Sequence, residues 1–192
     1  MPAIQDEPNI GIEATLLEGH SDPYGVLRCL DASIMSYDDA GSAEIGNLTG
    51  WLGRGVGSLD PEEVWDAADS ISAHAEALGA AARQILAASD RLDDVLLVDR
   101  ITLEERYRGQ KLMGRILDEL AHVLQLHEDT LLVLTLPEPL SLDGGGRLDD
   151  GPERNAGLDK LQTACRRAGM EPWNDGPVWW RSDTVKQTGP LG

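Results

Sequence analysis

The chain has 192 residues, of which 41% are hydrophobic and 26% charged. These values lie near the averages for soluble globular proteins and suffice for one core that buries about two-thirds of the unfolded surface. A formal charge of -18 disfavours nucleic-acid phosphates and anionic lipid as partners over most of the surface.

No run approaches the roughly 18 apolar residues of a membrane helix. The start, Met1-Pro2-Ala3-Ile4-Gln5-Asp6-Glu7, lacks a basic segment leading into an apolar one, so no secretory signal is expected. Cys29 and Cys165 stand outside any CxxC or Cys/His pattern, which argues against a disulfide framework or a structural zinc. The expectation is a cytoplasmic protein without metal.

Before residue 60, strands are expected at Ala14–Leu17, Gly25–Tyr37 and Ala43–Arg54, the last two joined by a hairpin through Tyr37-Asp38-Asp39-Ala40-Gly41-Ser42. Asp60-Pro61-Glu62-Glu63 supplies a capping carboxylate, a proline at the first helical position and an acid at the third, so a helix starts there. The seam Val64, Ala68, Ile71, Ala75, Leu78, Ala82, Ile85 carries one long helix over 61–88. His74 lies beside that seam with no role assigned, and His20, His122 and His127 form no metal-ligand pair.

Val95-Leu96-Leu97-Val98 reads as a strand buried on both faces. Leu112, Met113, Ile116, Leu117, Leu120, Val123 and Leu124 recur at helical spacing, and Leu131–Leu136 reads as a second buried strand before Pro137. Strand, helix and strand make a βαβ-like unit whose sheet is central. A Gly- and Asp-rich loop over Pro137–Glu153, mobile at the surface or used as a lid, precedes a helix over Asn155–Ala168 that ends at Gly169. Val178–Arg181 closes the order as a strand, and residues 186–192 are expected to fray. With no internal repeat or strong linker, residues 1–185 form a single α+β domain. Trp173, Trp179 and Trp180 fill the core or line a pocket.

Charge is uneven. Residues 1–60 carry 2 basic and 10 acidic groups, 61–94 carry 2 and 8, 95–127 carry 5 and 5, and 128–192 carry 7 and 11. Arg106, Arg108, Lys111 and Arg115 fall within ten residues that hold no acid, either as an anion site or as a solvated basic helix start. Here a buried strand and an acidic turn lead into Tyr107-Arg108-Gly109-Gln110-Lys111-Leu112-Met113-Gly114 at the head of an apolar helix. Unpaired backbone N–H groups and partial positive charge gather at such a start, and Gly109 removes a side chain from a ligand's path. Pyrophosphate suits this place.

Residues 101–117, Ile101 to Ile116-Leu117, resemble the acyl-CoA-binding signature of the GCN5-related N-acetyltransferase superfamily, which joins a buried strand to a phosphate-cradling RxxGxG/A turn. Arg108 and Gly109 match. Lys111 and Met113 stand where glycine and glycine or alanine are usual, with Gly114 one residue late. The resemblance is strong over 95–136, weaker over 155–182 and vague before 60. It implies a mixed, mostly antiparallel central sheet with helices on both faces. It also implies an acetyl-CoA site built from Ile101, Thr102, Leu103, Arg108, Gly109, Gln110, Lys111, Leu112, Met113 and Gly114, with backbone N–H groups near Leu103 on the pantetheine and thioester. Leu131–Leu136 looks like the strand that splays from its neighbour to admit pantetheine.

By the family mechanism an amine attacks the thioester directly, which needs a base and a proton source for the leaving thiolate. Asp99 stands where many relatives carry a glutamate, with Asp93 and Asp94 as runners-up. Cys165 stands where relatives place an acidic tyrosine and serves as acid there or as core. The resemblance therefore implies N-acetyl transfer from acetyl-CoA to a primary amine of a small molecule or peptide. Flanking acidity favours a cationic acceptor. The alternative is a non-catalytic acyl-CoA-binding or protein-interaction domain with an eroded motif. The helix at 61–88 is foreign to the family's usual layout and serves core packing, an acceptor-pocket wall or a homodimer surface.

Overall fold

The computed structural model describes residues 8–17, 25–39, 41–140, 146 and 148–185. Period-two patterning builds its first half. In β1 (Asn9–Leu17), Ile10, Ile12, Ala14 and Leu16 pack onto one core, and their partners in β2 (Arg28–Asp38) are Ser36, Ile34, Ala32 and Leu30. β3 (Gly41–Gly53) continues the layer with Leu48 and Leu52, and Asp38 pairs with Gly41 at the hairpin end.

β4 (Asp94–Leu103) pairs antiparallel with β3, and β5 (Leu131–Thr135) pairs parallel with β4. The short β6 (Glu171–Pro172) and β7 (Trp179–Arg181) complete a seven-stranded sheet in the order β1-β2-β3-β4-β5-β7-β6, antiparallel at every other junction. Helices cover both faces, so the chain is a mixed α+β fold. Leu96, Val98 and Val133 face α3 (Leu112–Val123), and this layer also takes Cys165 from α4 (Pro152–Arg167). Val95, Leu97, Leu132 and Leu134 face α1 (Pro61–Asp69) and α2 (Ala73–Ala87).

The single helix expected over 61–88 is two helices. Asp60 caps α1 through the Glu62 amide, and Glu63 returns a bond to the Asp60 amide. Ser70-Ile71-Ser72 then breaks the run, and the Ser72 hydroxyl accepts from the Ala75 amide as a second N-cap at 3.1 Å. The seam hid this break because its apolar spacing passes through Ile71 unchanged. Close packing follows: a Cβ at Gly79 would stand 2.5 Å from the Ala68 Cβ, so α1 folds back tightly on α2.

β1 begins five residues before its expected start. Gly11 masked the alternation there, and its vacant side-chain position lies under the Tyr37 ring. Trp179 and Trp180 are both core, on opposite faces, and Trp173 meets Trp180 edge to face at 5.6 Å. Residues 141–145 and 147 of the Pro137–Glu153 loop, and the tail from Lys186, lie outside the described residues.

On the face that α1 and α2 cover over β4 and β5, the register continues across β1–β3 as polar rows. Thr15, Asp31 and Thr49 form one row, and Glu13, Ser33, Asn47 and Thr102 form the next. All of these residues are partly or fully exposed.

Candidate active site

β4 pairs with β5 from Asp94 opposite Leu131 to Val98 opposite Thr135, then runs five residues further, from Asp99 to Leu103, with β3 on one side and no β5 partner on the other. Pro137 follows the end of β5 closely and cannot donate to a ladder. The two strands therefore part at Val98 and Thr135. The Thr135 hydroxyl donates to the Val98 carbonyl at 3.1 Å in a buried position, which closes the vertex of the opening.

At the same level β3 and β4 slip register: Thr49 pairs with Arg100 and Gly50 with Val98, so Asp99 is the extra residue of a bulge. A bulge turns a side chain out of the regular alternation. Close backbone approach accompanies it, because a Cβ built on Gly50 would stand 2.2 Å from the Leu97 carbonyl oxygen. The Asp99 carboxylate accepts from the Thr49 hydroxyl at 3.2 Å, and its side chain is 28% exposed.

Two residues that sequence reasoning left without a role surround Asp99. The His74 Nε2 atom lies 3.7 Å from Asp99 Oδ1, and the His74 Nδ1 atom lies 4.0 Å from Glu138 Oε2. His74 comes from the first turn of α2 and Glu138 from the segment just after β5. Burial first, and then the nearby Asp31 and Asp99 carboxylates, raise the Cys29 thiol above its ordinary value. A second signal in the sequence could have found His74: Ser72 starts a new helix, which moves His74 from mid-helix to a first turn facing the sheet.

The segment after β4 forms the other half of the site. A 3-10 turn over Glu105–Tyr107 leads to Gly109 at φ 77° and Lys111 at φ 62°, and α3 begins at Leu112. Lys111 departs from the family pattern in identity yet holds the left-handed backbone that glycine adopts freely, at a cost of about 1–2 kcal/mol. Open space surrounds the Cβ position of Gly109. Lys111 caps α3 without a side-chain hydrogen bond and no acid stands in the first turn, so the helix start keeps its partial positive charge.

Met113 does not crowd this turn, because it is partly buried against the α3-side core. Leu112 is buried there too, and Gly114 faces the Ala168 backbone, its Cβ position 3.4 Å from the Ala168 Cα. Any contact of these three with a ligand would come through the backbone. The basic residues are largely spoken for. Arg108 Nε donates to the Leu103 carbonyl at 2.8 Å, Arg106 pairs with Glu104 and lies over the Tyr107 ring, and Arg115 donates to the Pro8 carbonyl. The Gln110 side chain donates to the Arg106 carbonyl at 2.6 Å. Ile101 and Leu103 pack against the α3-side core, and the Thr102 hydroxyl bonds Asn47.

Cys165 does not join Asp99. It sits 2% exposed in the core on the α3 side, whereas Asp99 meets α2 on the opposite face. Desolvation pushes its thiol up to about 12, and its burial fits the core alternative of the two roles expected for it. The raised value has a sign consequence. Below pH 9 the folded and unfolded thiols are both protonated; above it the unfolded chain ionises first, and stability declines as pH rises toward 12. Thermal melts between pH 8 and pH 11 should show a smaller decline for Cys165→Ala than for wild type. The substitution should cost about 1 kcal/mol of packing and leave amine-dependent turnover within twofold. A large loss of turnover would restore the acid role.

Of the runners-up, Asp94 accepts from the Gly55 amide at the far end of β4, and Asp93 is exposed beside it. Among the described residues no group of three or more His, Cys, Asp or Glu side chains is disposed to hold a metal ion. No helix there is long and apolar enough to cross a membrane.

No protein-family model matches this chain, and no curated protein matches it in sequence. Among solved structures it has a distant likeness in fold to an agmatine N-acetyltransferase mutant in the apo form. The two share 11% identity over 85% of this chain and 83% of that one, with a TM-score of 0.37.

Proposed function

We propose that the chain is an N-acetyltransferase that moves an acetyl group from acetyl-CoA to a primary amine by direct attack. One observation carries this reading: the β4/β5 opening starts at Asp99, the extra residue of a bulge, and the same strand runs on into the left-handed turn that heads α3. A carboxylate and a helix start suited to an anion thus lie beyond the two ends of the stretch of β4 that pairs with β3 but not with β5. Acetyl-CoA is the co-substrate. Its pyrophosphate suits the amides of Leu112, Met113 and Gly114 with Gly109 and Lys111 beside them, and its pantetheine suits the free edge over Ile101, Thr102 and Leu103.

Asp99 is the base. An incoming ammonium loses one proton to its carboxylate, and the neutral amine then attacks the thioester carbonyl carbon. The C–S bond breaks as the carbonyl re-forms, and the second amine proton ends on the thiolate. Thr49 fixes the carboxylate by its hydroxyl bond, and the polar rows with Glu13 and Asp31 draw a cationic acceptor toward it. A polyamine, an aminoglycoside or a basic peptide fits this surface by charge.

The test is thiol release from acetyl-CoA with spermidine, kanamycin or a lysine-rich peptide added. Amine-dependent release supports transfer. Acetyl-CoA binding without release from any of them favours the second reading, a non-catalytic acyl-CoA-binding domain.

A further inference from the structure

We infer that His74 is a proton acceptor behind Asp99, carrying the ammonium proton away from the acceptor site with Glu138 holding the resulting imidazolium. The inference rests on the transferase reading and adds a residue to it. Acetylating an ammonium releases one net proton, because two leave the nitrogen and the thiolate keeps one. Asp99 cannot turn over again until its proton departs.

The geometry supplies one route. His74 Nε2 faces Asp99 Oδ1 at 3.7 Å, and its other nitrogen faces Glu138 Oε2 at 4.0 Å. Carboxylate, imidazole and carboxylate thus stand in line from β4 across α2 to the segment after β5. The side chains of Asp99, His74 and Glu138 are 28%, 13% and 17% exposed, so the imidazole is the most sheltered of the three and Glu138 offers its proton a second way out to water. Both separations exceed the roughly 3.2 Å of a proton-transferring hydrogen bond, and such contacts commonly tighten once substrate is bound.

The step balances. The proton on Asp99 passes to the His74 Nε2 lone pair, the O–H bond breaks as the N–H bond forms, the Nδ1 proton leaves past Glu138 to solvent, and proton exchange with water returns the ring to its Nδ1–H tautomer before the next turnover. A second carboxylate on the far side of the ring stabilises the transient cation. The α2 start works in the other direction, since a helix N-terminus disfavours positive charge, so the imidazolium passes its proton on.

His74 acts through Asp99 and does not touch the reacting atoms, so its test needs a readout that packing alone would not move. His74→Ala and His74→Gln are compared with wild type in steady-state thiol release with the amines named above, and acetyl-CoA affinity is measured separately by titration. The expected result is a kcat lower by about tenfold in both variants, below the roughly 10²–10⁴-fold of a group that takes the proton directly. Acetyl-CoA affinity stays unchanged, and added imidazole restores kcat in His74→Ala but not in Asp99→Asn. Wild-type kcat in either variant overturns the inference, as does a loss that glutamine repairs and imidazole does not. If wild type binds acetyl-CoA yet acetylates none of the amines, the transferase reading fails first and the relay falls with it.

Discussion

Replacing Asp99 by Asn should lower amine-dependent thiol release by about a hundredfold or more at pH 7, the range expected when a positioned base is removed. Acetyl-CoA affinity and melting temperature should barely change. Asparagine is close in shape, its carbonyl oxygen can still accept from the Thr49 hydroxyl, and the site is 28% exposed. The diagnostic feature is the pH dependence. Alkylammonium groups lose their proton near pH 10.4, and a neutral amine needs no base, so the gap between variant and wild type should narrow as pH is raised from 7 to 9. Equal activity at pH 7 would remove Asp99 from the chemistry. A uniform loss at every pH would mean that it positions the acceptor without taking its proton.

Gly50→Ala should be strongly damaging for a single-methyl change. The added Cβ would lie 2.2 Å from the Leu97 carbonyl oxygen, a backbone atom that cannot rotate away. Strand β3 would have to move at the register shift that turns Asp99 out. Overpacking of this kind costs about 1–3 kcal/mol, or some 2–4 °C of melting temperature per kcal/mol for a chain of this size. Because the bulge itself is disturbed, turnover should fall further than stability does. A melting temperature within 1 °C of wild type, with turnover intact, would show that the close approach between β3 and β4 is not required.

These two residues mark the limit of what the sequence displays. Val95–Val98, the α3 seam and Leu131–Leu136 were legible because continuous apolar runs and 3.6-residue spacing belong to single elements. The βαβ unit and its neighbouring strands therefore emerged close to their true places. A bulge is a relation between two strands: nothing in Val98-Asp99-Arg100 announces that Thr49-Gly50 sits opposite with one residue fewer. Gly50 is the nearest thing to a signal, since a glycine inside a strand marks a bulge or a close approach.

Partners brought in by the fold were harder still. His74 and Glu138 lie 64 positions apart in the chain, and both meet the site through elements whose expected form hid them. His74 looked like mid-helix because Ile71 kept the seam in phase across the break at Ser70–Ser72. Glu138 lay in a segment read as surface loop because of the glycines beyond it. Cys165 stayed open between acid and core because a position matched to a family role does not say which face of the sheet it occupies. Lys111 shows the opposite case, in which an unfavourable residue holds the left-handed geometry that the turn requires.

We propose that the β4/β5 opening and the turn before α3 together receive an acyl-CoA. Isothermal titration of the purified protein with acetyl-CoA, with free CoA and a dinucleotide run alongside, tests it most directly. Micromolar binding selective for the CoA compounds over the dinucleotide is expected. No detectable heat with acetyl-CoA, or equal binding of the dinucleotide, would contradict it.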